Sequence, residues 1–344
     1  MVMKAMLLKQ ISDLTKEIKP LEFAEVPEPI TGQNEILIKV NACGVCHTEL
    51  DEIEGRTPPP VFPVIPGHQV VGRVVETGPE VSQFKAGDRA GVAWIFSSCG
   101  TCEYCINGLD NLCAEFQATG RDADGGYAQY MKINEDFAYP IPDYFTDEEA
   151  APLFCAGAIG YRSLALANIK NGQLLGLTGF GASAHLVLKL SKHIYPNSEV
   201  MVFARSEKER DFAMDLGAAW AGDIGESAPE KLRAIIDTTP VWKTILTSLE
   251  NLNPGGRLVI NAIRKEEGDK SQLLSLNYAE HLWMEKEVKS VANVARKDVT
   301  EFLRIAAEAQ IKPELQTYPL EDANKALIEL KERKIKGAKV LTIS

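Results

Sequence analysis

Four cysteines at positions 99, 102, 105 and 113, spaced C-x2-C-x2-C-x7-C within SSCGTCEYCINGLDNLC, constrain this 344-residue chain more than any other feature. Two-residue spacers let neighbouring thiolates turn onto one ion, and four thiolates complete the closed tetrahedral shell of a structural zinc. An iron–sulfur run has a three-residue last spacer followed by Pro; here the spacer is seven residues and Ala114 follows. The segment near 95–115 is therefore expected to be a lobe organised by a metal ion with no coordination position left for substrate.

The remaining cysteines stand at 43, 46 and 155, and none follows. Their reading depends on compartment. The first twenty residues interrupt their apolar run with Lys4 and Lys9 before a signal-peptide core can form. The most apolar later stretch, 174–190, holds Gly176, Gly179, Gly181 and Lys189 and cannot be an uninterrupted membrane span. A cytoplasmic location is expected, where reduced thiols serve as metal ligands rather than disulfides. With 37 basic and 48 acidic residues the net charge is −11, which argues against nucleic acid or an anionic membrane as partner. At 45% hydrophobic and 25% charged, the chain has ample material for folded cores and is not a disordered sequence.

The hydrophobic period changes along the chain. Up to about residue 150, short alternating segments at 35–40, 70–75, 88–93 and 127–133, broken by Gly and Pro, predict an antiparallel barrel or sandwich. Beyond it, apolar runs at 174–177, 200–203, 235–237 and 258–260 alternate with helical stretches, the pattern of a parallel sheet covered on both faces. A final strand at 338–343 is placed to return to the first domain. The expected division is 1–150 with 296–344 as one domain and 151–295 as the other.

Leu174 to Leu177 reads as a buried strand, and Gly179-Phe180-Gly181-Ala182-Ser183-Ala184 opens the next helix as G-x-G-x-x-A. In that turn the third small residue keeps helix and strand close while helix N-terminal amides face a pyrophosphate. The second strand ends Val202-Phe203-Ala204-Arg205-Ser206. Ala204 stands where an acid would hold the ribose hydroxyls of NAD, and Arg205 with Ser206 can supply a fork and a hydroxyl to a 2′-phosphate, so NADP(H) is favoured over NAD(H).

A second metal site is suggested by ACGVCHTEL at 42–50, PGHQ at 66–69 and APLFCAG at 151–157. Singly these are weak, since buried thiols are commonly small hydrophobes. Two Cys and one His together are the ligand set of a catalytic zinc that keeps a fourth position open.

These motifs, with the four-cysteine lobe and the glycine turn, make the chain resemble the zinc-containing alcohol dehydrogenases of the medium-chain dehydrogenase/reductase superfamily nearly end to end. The resemblance implies a GroES-like catalytic barrel domain with an inserted Rossmann-type, doubly wound parallel-sheet cofactor domain. It implies that Cys46, His68 and Cys155 bind a catalytic zinc, that Thr48 hydrogen-bonds the substrate oxygen, that His47 sits by the cofactor pyrophosphate, and that Arg296 contacts cofactor phosphates. Two zincs per chain follow, with reversible hydride transfer between an alcohol carbon and the nicotinamide, and an assembly that is a homotetramer, a dimer being the alternative.

Three positions depart from the family pattern. Glu49 replaces the Asp that orients the histidine ligand, keeping a carboxylate on a longer arm. Gln69 replaces a Glu that approaches the zinc transiently, removing one charge. Asp51 stands where a histidine often ends the proton relay, so either Asp51 or solvent does so here; its bland reading is a solvated loop carboxylate. These departures keep a rival class open, a zinc-stabilised NAD(P)-binding regulatory or redox-sensing protein with little dehydrogenase activity. His185, His193 and His281 read as helix or surface histidines, Cys43 as a packed barrel residue, and the charged cluster 331–336 as a solvated face. Thr48 and Trp94 are expected in the substrate pocket, whose alcohol, aldehyde or ketone the sequence does not specify.

Overall fold

The computed structural model describes residues 1–332 and 337–344. Two compact units make up the chain: Met1–Ala158 with Val294–Ser344, and Ile159–Asn293. Against the expected boundaries at 150 and 296, the first unit thus keeps the turn Ala151–Phe154 and Cys155. The physical reason lies in Phe154, fully buried and 6.0 Å between ring centroids from Tyr139, which anchors that turn in the barrel core.

In the first unit a seven-stranded sheet is built around Glu35–Val45, the longest strand, which pairs antiparallel with Val70–Thr77, Tyr130–Asn134 and the last strand, Ala338–Thr342. Core and surface positions alternate along Tyr130–Asn134, whereas Glu35–Val45 and Ala338–Thr342 are buried at most positions because they lie inside the sheet. The chain end does return to this unit: Leu341 pairs with Cys43, and Val340 with Gly44. One neighbouring pair, Leu315–Pro319 with Ala338–Thr342, is parallel, and the helix Ala323–Lys331 supplies the crossover such a pair needs. Lys331 pairs with Glu54; of the charged cluster expected as a solvated face, residues 333–336 lie outside the described residues. Cys43 is completely buried in its strand, as a packed residue should be.

The second unit is a six-stranded, all-parallel sheet. Taking its strands in chain order as first to sixth, from Leu175–Thr178 to Glu287–Ser290, their spatial order is third, second, first, fourth, fifth, sixth. That is the doubly wound Rossmann order, with its switch point between Leu175–Thr178 and Leu232–Asp237. Leu175–Thr178 and Val200–Phe203 are buried throughout, whereas the edge strand Glu287–Ser290 is exposed at every residue. Met201, Phe203, Leu232, Ile235, Leu252 and Leu258 from the sheet meet Ile245 and Leu249 of the helix Lys243–Asn251 in one core. Among the described residues no single helix is long and apolar enough to cross a membrane.

Candidate metal centres and cofactor turn

Strand Glu35–Val45 runs directly into the helix His47–Ile53, and Cys46 is the cap between them. Its extended backbone (φ −130°, ψ 165°) lets the carboxylate of Glu49 turn back and accept from the Cys46 N–H at 2.8 Å. The other oxygen of Glu49 lies 2.6 Å from His68 Nδ1. One completely buried carboxylate therefore fixes two of the three expected ligands. Gly67, at φ +98°, brings His68 into place through a turn that a side chain would strain, and a Cβ there would stand 3.0 Å from Cys43 Sγ.

Cys46 Sγ lies 3.9 Å from Cys155 Sγ and 3.6 Å from Thr48 Oγ1. The ligand atoms of Cys46, His68 and Cys155 all fall within 4.8 Å of one another. His68 Nε2 is buried with no hydrogen-bond partner, while Nδ1 is held by Glu49. An imidazole oriented through one nitrogen with the other orphaned is the arrangement of a metal ligand. The protonation pattern agrees. A hydrogen bond from Cys155, followed by the interaction with His68, draws the Cys46 thiol well below its ordinary range. The Cys46 contact and burial push Cys155 up. Burial opposes charge on His68, yet the Glu49 carboxylate and the nearby Cys46 sulfur raise it well above 6.5. Such a pocket asks for positive charge, which a divalent cation would supply in place of those protons. The donor set and its spacing fit zinc, for which ligand sulfurs about 2.3 Å from the ion stand roughly 3.8 Å apart in a tetrahedron.

The four-cysteine lobe meets the same test. Sulfur separations are 3.5 Å for Cys102–Cys105, 3.5 Å for Cys99–Cys113 and 3.9 Å for Cys99–Cys105. Backbone amides of Cys102 and Glu115 point at Cys99 Sγ and Cys113 Sγ, each at 3.4 Å. The amides of Thr101 and Cys102 pull the Cys99 thiol down to about 6, favouring the thiolate a metal needs. Four sulfurs fill the shell, so this centre has no position for substrate.

In the second unit, Gly179 (φ +79°) closes the turn after Leu175–Thr178, where a Cβ would stand 2.8 Å from Thr238 Oγ1. Gly181 has open space where its Cβ would project, a cradle for a group lying against the backbone. Ser183 caps the eleven-residue helix Ala184–Ile194, Ala182 is half-buried before it, and Ala184 is fully buried. These residues fit a dinucleotide at the helix N-terminus.

Other expected residues sit differently. Ser206 uses its hydroxyl in a capping box with Glu209, donating at 2.8 Å to Oε2 and accepting from the Glu209 amide. Arg205 is exposed and Ala204 buried. Arg296, expected against cofactor phosphates, donates from Nε to Asp110 at 2.9 Å and lies 4.9 Å over the Phe137 ring. Asp51 is not a solvated loop carboxylate: it is 3% exposed, inside the helix, and accepts from Arg56 Nε at 2.6 Å. Gln69 is folded over Gly44, where a Cβ would come within 2.6 Å of its Cδ. His47 is exposed at the first helical residue. His185 is buried in Ala184–Ile194, His193 lies in the last turn of that helix, and His281 is buried against Glu250.

Sequence reasoning missed Glu52, buried one helical turn beyond Thr48 with both carboxylate oxygens unpartnered. The four-residue spacing from Thr48 was the signal that could have found it.

A GroES-type barrel with a Cys–His–Cys centre and a four-cysteine lobe, joined in one chain to a Rossmann sheet, defines a nicotinamide-dependent dehydrogenase. Comparison with known proteins agrees. Residues 32–143 match the alcohol dehydrogenase GroES-like domain family. The chain is 41% identical over 329 residues to "Probable alcohol dehydrogenase AdhA" of Mycobacterium tuberculosis, covering 94% of this chain and 93% of that protein. It is 33% identical over 352 residues to an alcohol dehydrogenase of Geobacillus stearothermophilus, covering 99% and 100%. A cinnamyl alcohol dehydrogenase structure from Sorghum bicolor superposes with a TM-score of 0.85 at 26% identity, over 99% of this chain and 98% of that one. The chain belongs to the alcohol dehydrogenases of the medium-chain dehydrogenase/reductase superfamily, oxidoreductases acting on CH–OH groups.

Proposed function

We propose that this protein is a zinc-dependent alcohol dehydrogenase and aldehyde or ketone reductase that uses NADP(H). The carrying observation is the convergent trio Cys46, His68 and Cys155, with the buried His68 Nε2 lacking a partner. These three residues would hold the catalytic zinc, and Cys99, Cys102, Cys105 and Cys113 the structural one. When bound, zinc supplies Lewis acidity toward the substrate oxygen and the nicotinamide supplies hydride chemistry.

The protein's own contribution is orientation and proton handling. Glu49 holds His68 in the tautomer that leaves Nε2 free. Thr48 Oγ1, buried beside Cys46 Sγ, would exchange the proton of the substrate oxygen. Asp51 spends Oδ1 on Arg56, which favours solvent as the outer end of the relay. The family resemblance supports His47 as a contact of the cofactor pyrophosphate, and Gly179, Gly181, Ala182, Ser183 and Ala184 would form the dinucleotide turn of the second unit. The absence of an acid at Ala204 and the exposed guanidinium of Arg205 support NADP(H), with Ser206 contributing mainly through its cap. A cofactor contact from Arg296 would have to use nitrogens not spent on Asp110.

All seven cysteines are free of disulfides, which supports a reducing, cytoplasmic setting. A homotetramer is the proposed assembly, to be checked by light scattering. The test of activity is cofactor-linked turnover of aldehyde, ketone and alcohol panels before and after chelation, with NADPH and NADH compared. Absence of turnover by zinc-loaded protein would replace this reading with a nucleotide-binding regulatory role.

A further inference from the structure

The strand Val200–Phe203 ends against the glycine turn, where the Phe203 carbonyl accepts from the Gly179 amide at 2.8 Å. Ala204, Arg205 and Ser206 follow directly, and two side chains of the helix Glu207–Asp215 decide how this loop is held. Glu209 Oε2 accepts from the Ser206 amide at 3.2 Å and from its hydroxyl at 2.8 Å. Arg210 reaches back from one turn inside the helix, and its Nη1 donates to the carbonyl of Ala204 at 2.8 Å and to that of Arg205 at 2.9 Å. Two consecutive peptide carbonyls are thereby gathered onto one guanidinium nitrogen.

Arg205 is exposed and Arg210 half-buried, so the charge offered at this loop and the charge that shapes it belong to different residues. The same Nη1 has a third neighbour, Asp223 Oδ2 at 3.7 Å, just past the strand Trp220–Gly222. That strand lies beside Val200–Phe203, and the Ala204 amide donates to the Gly222 carbonyl at 2.9 Å. Pairs as exposed as Arg210 and Asp223 contribute little to stability. They matter more for a bound anion, since a carboxylate left uncompensated at this loop repels a phosphate. Of the nearby acids, Glu207 is exposed, Glu209 is engaged by Ser206, and Asp223 is offset by Arg210.

We propose that Arg210 is a positioning residue for recognition of the cofactor 2′-phosphate. By gathering the Ala204 and Arg205 carbonyls it preforms the loop that carries the Arg205 guanidinium, and beside Asp223 it cancels the charge that would oppose a phosphate. The inference rests on the NADP(H) reading given above. It supplies what the Arg205 side chain alone lacks: a long side chain on an unfixed loop loses conformational freedom on binding, and that loss subtracts from affinity, whereas a loop already held has less to lose. Phosphate contact itself stays with Arg205, because Arg210 Nη1 is committed to the two carbonyls.

The test measures the Kd of NADPH and of NADH, which differ by the 2′-phosphate alone, from quenching of protein fluorescence in the zinc-loaded full-length protein without alcohol or aldehyde. The wild type is expected to bind NADPH more tightly. In Arg210→Met that preference falls by about five- to tenfold while the Kd of NADH stays unchanged, a split that general damage to the nucleotide site would not produce. Adding Asp223→Asn to Arg210→Met recovers part of the preference, because the uncompensated carboxylate is then gone. Should Arg210→Met fail to fold, as judged by circular dichroism, Arg210→Gln, which loses the charge and keeps an amide donor, takes its place and must also lower the preference. An undiminished preference in the folded variant, or equal weakening of NADPH and NADH, overturns the role of Arg210 and leaves the NADP(H) reading standing. A wild type that binds the two cofactors alike, or NADH more tightly, overturns the NADP(H) reading and this inference with it.

Discussion

Glu49 Oε1 lies 2.6 Å from His68 Nδ1, both side chains being fully buried. The carboxylate that orients this imidazole also caps the helix start at Cys46 through its second oxygen. Glu49→Ala should weaken zinc at this centre by about 10–100-fold, the usual cost of losing such a support. Zinc content after dialysis against a graded chelator series would show one of two zincs leaving early; unaltered retention of both would contradict the assignment.

The four-cysteine lobe predicts a different phenotype. Cys102 Sγ stands 3.5 Å from Cys105 Sγ within a closed set of four. Cys102→Ser should lower bound zinc by one per chain and reduce Tm by about 5 °C or more. Atomic emission together with calorimetry measures both, and full zinc content in the variant would remove the structural assignment.

The four-cysteine cluster was legible because its spacing is local, with the thiols at 99, 102 and 105 close together in one segment, whereas grouping Cys46 and His68 with Cys155 rested on family resemblance. The parallel sheet was legible for a similar reason, since a buried strand such as Val200–Phe203 announces itself by four consecutive apolar residues. What could not be read was pairing across long separations. Arg296 meets Asp110, which is 186 positions away, and that bond gives Arg296 a partner its motif did not suggest. Asp51 was left open between the outer end of the relay and a solvated carboxylate, and only packing revealed the Arg56 contact. Glu52 was overlooked because an unpaired buried acid is invisible until every neighbour is in place.

Cofactor choice offers a direct test. Arg205 is exposed after Val200–Phe203, at the position from which a 2′-phosphate would be gripped. A hydrogen bond to a charged group contributes about 1.5–3 kcal/mol, so Arg205→Leu should lower kcat/KM for NADPH by roughly 10–100-fold and leave that for NADH little changed. Equal losses for the two cofactors would remove Arg205 from phosphate recognition.

Lys265 and Asp237 form an ion pair at 2.5 Å in the second unit, with side chains 8% and 0% exposed. Lys265 Nζ also donates to the carbonyls of Thr239 and Val241, stapling the segment that follows Leu232–Asp237. Removing one partner strands a buried charge, so Lys265→Met should cost about 3–5 kcal/mol. The exposed pair Arg304–Glu308 should contribute little when broken by Arg304→Met. Urea denaturation of both variants checks the contrast, and similar midpoints would refute it.

His185 sets a pH dependence in the same unit. Burial holds its pKa down to about 4, against an ordinary 6.5, although the hydrogen bond from Nδ1 to the Gly181 carbonyl opposes the shift. The unfolded chain therefore binds a proton between those values that the native chain refuses. Stability is unaffected by this group above pH 6.5, falls as pH drops through the window, and stops falling below about 4. Between pH 7.5 and pH 5 the expected loss is about 2 kcal/mol. Glutamine cannot titrate but can still donate to the Gly181 carbonyl, so His185→Gln should lose about that much less over the same interval than the wild type does. Urea midpoints at the two pH values, measured with both proteins fully zinc-loaded, give the difference directly; parallel pH responses would show that burial does not lower the His185 pKa.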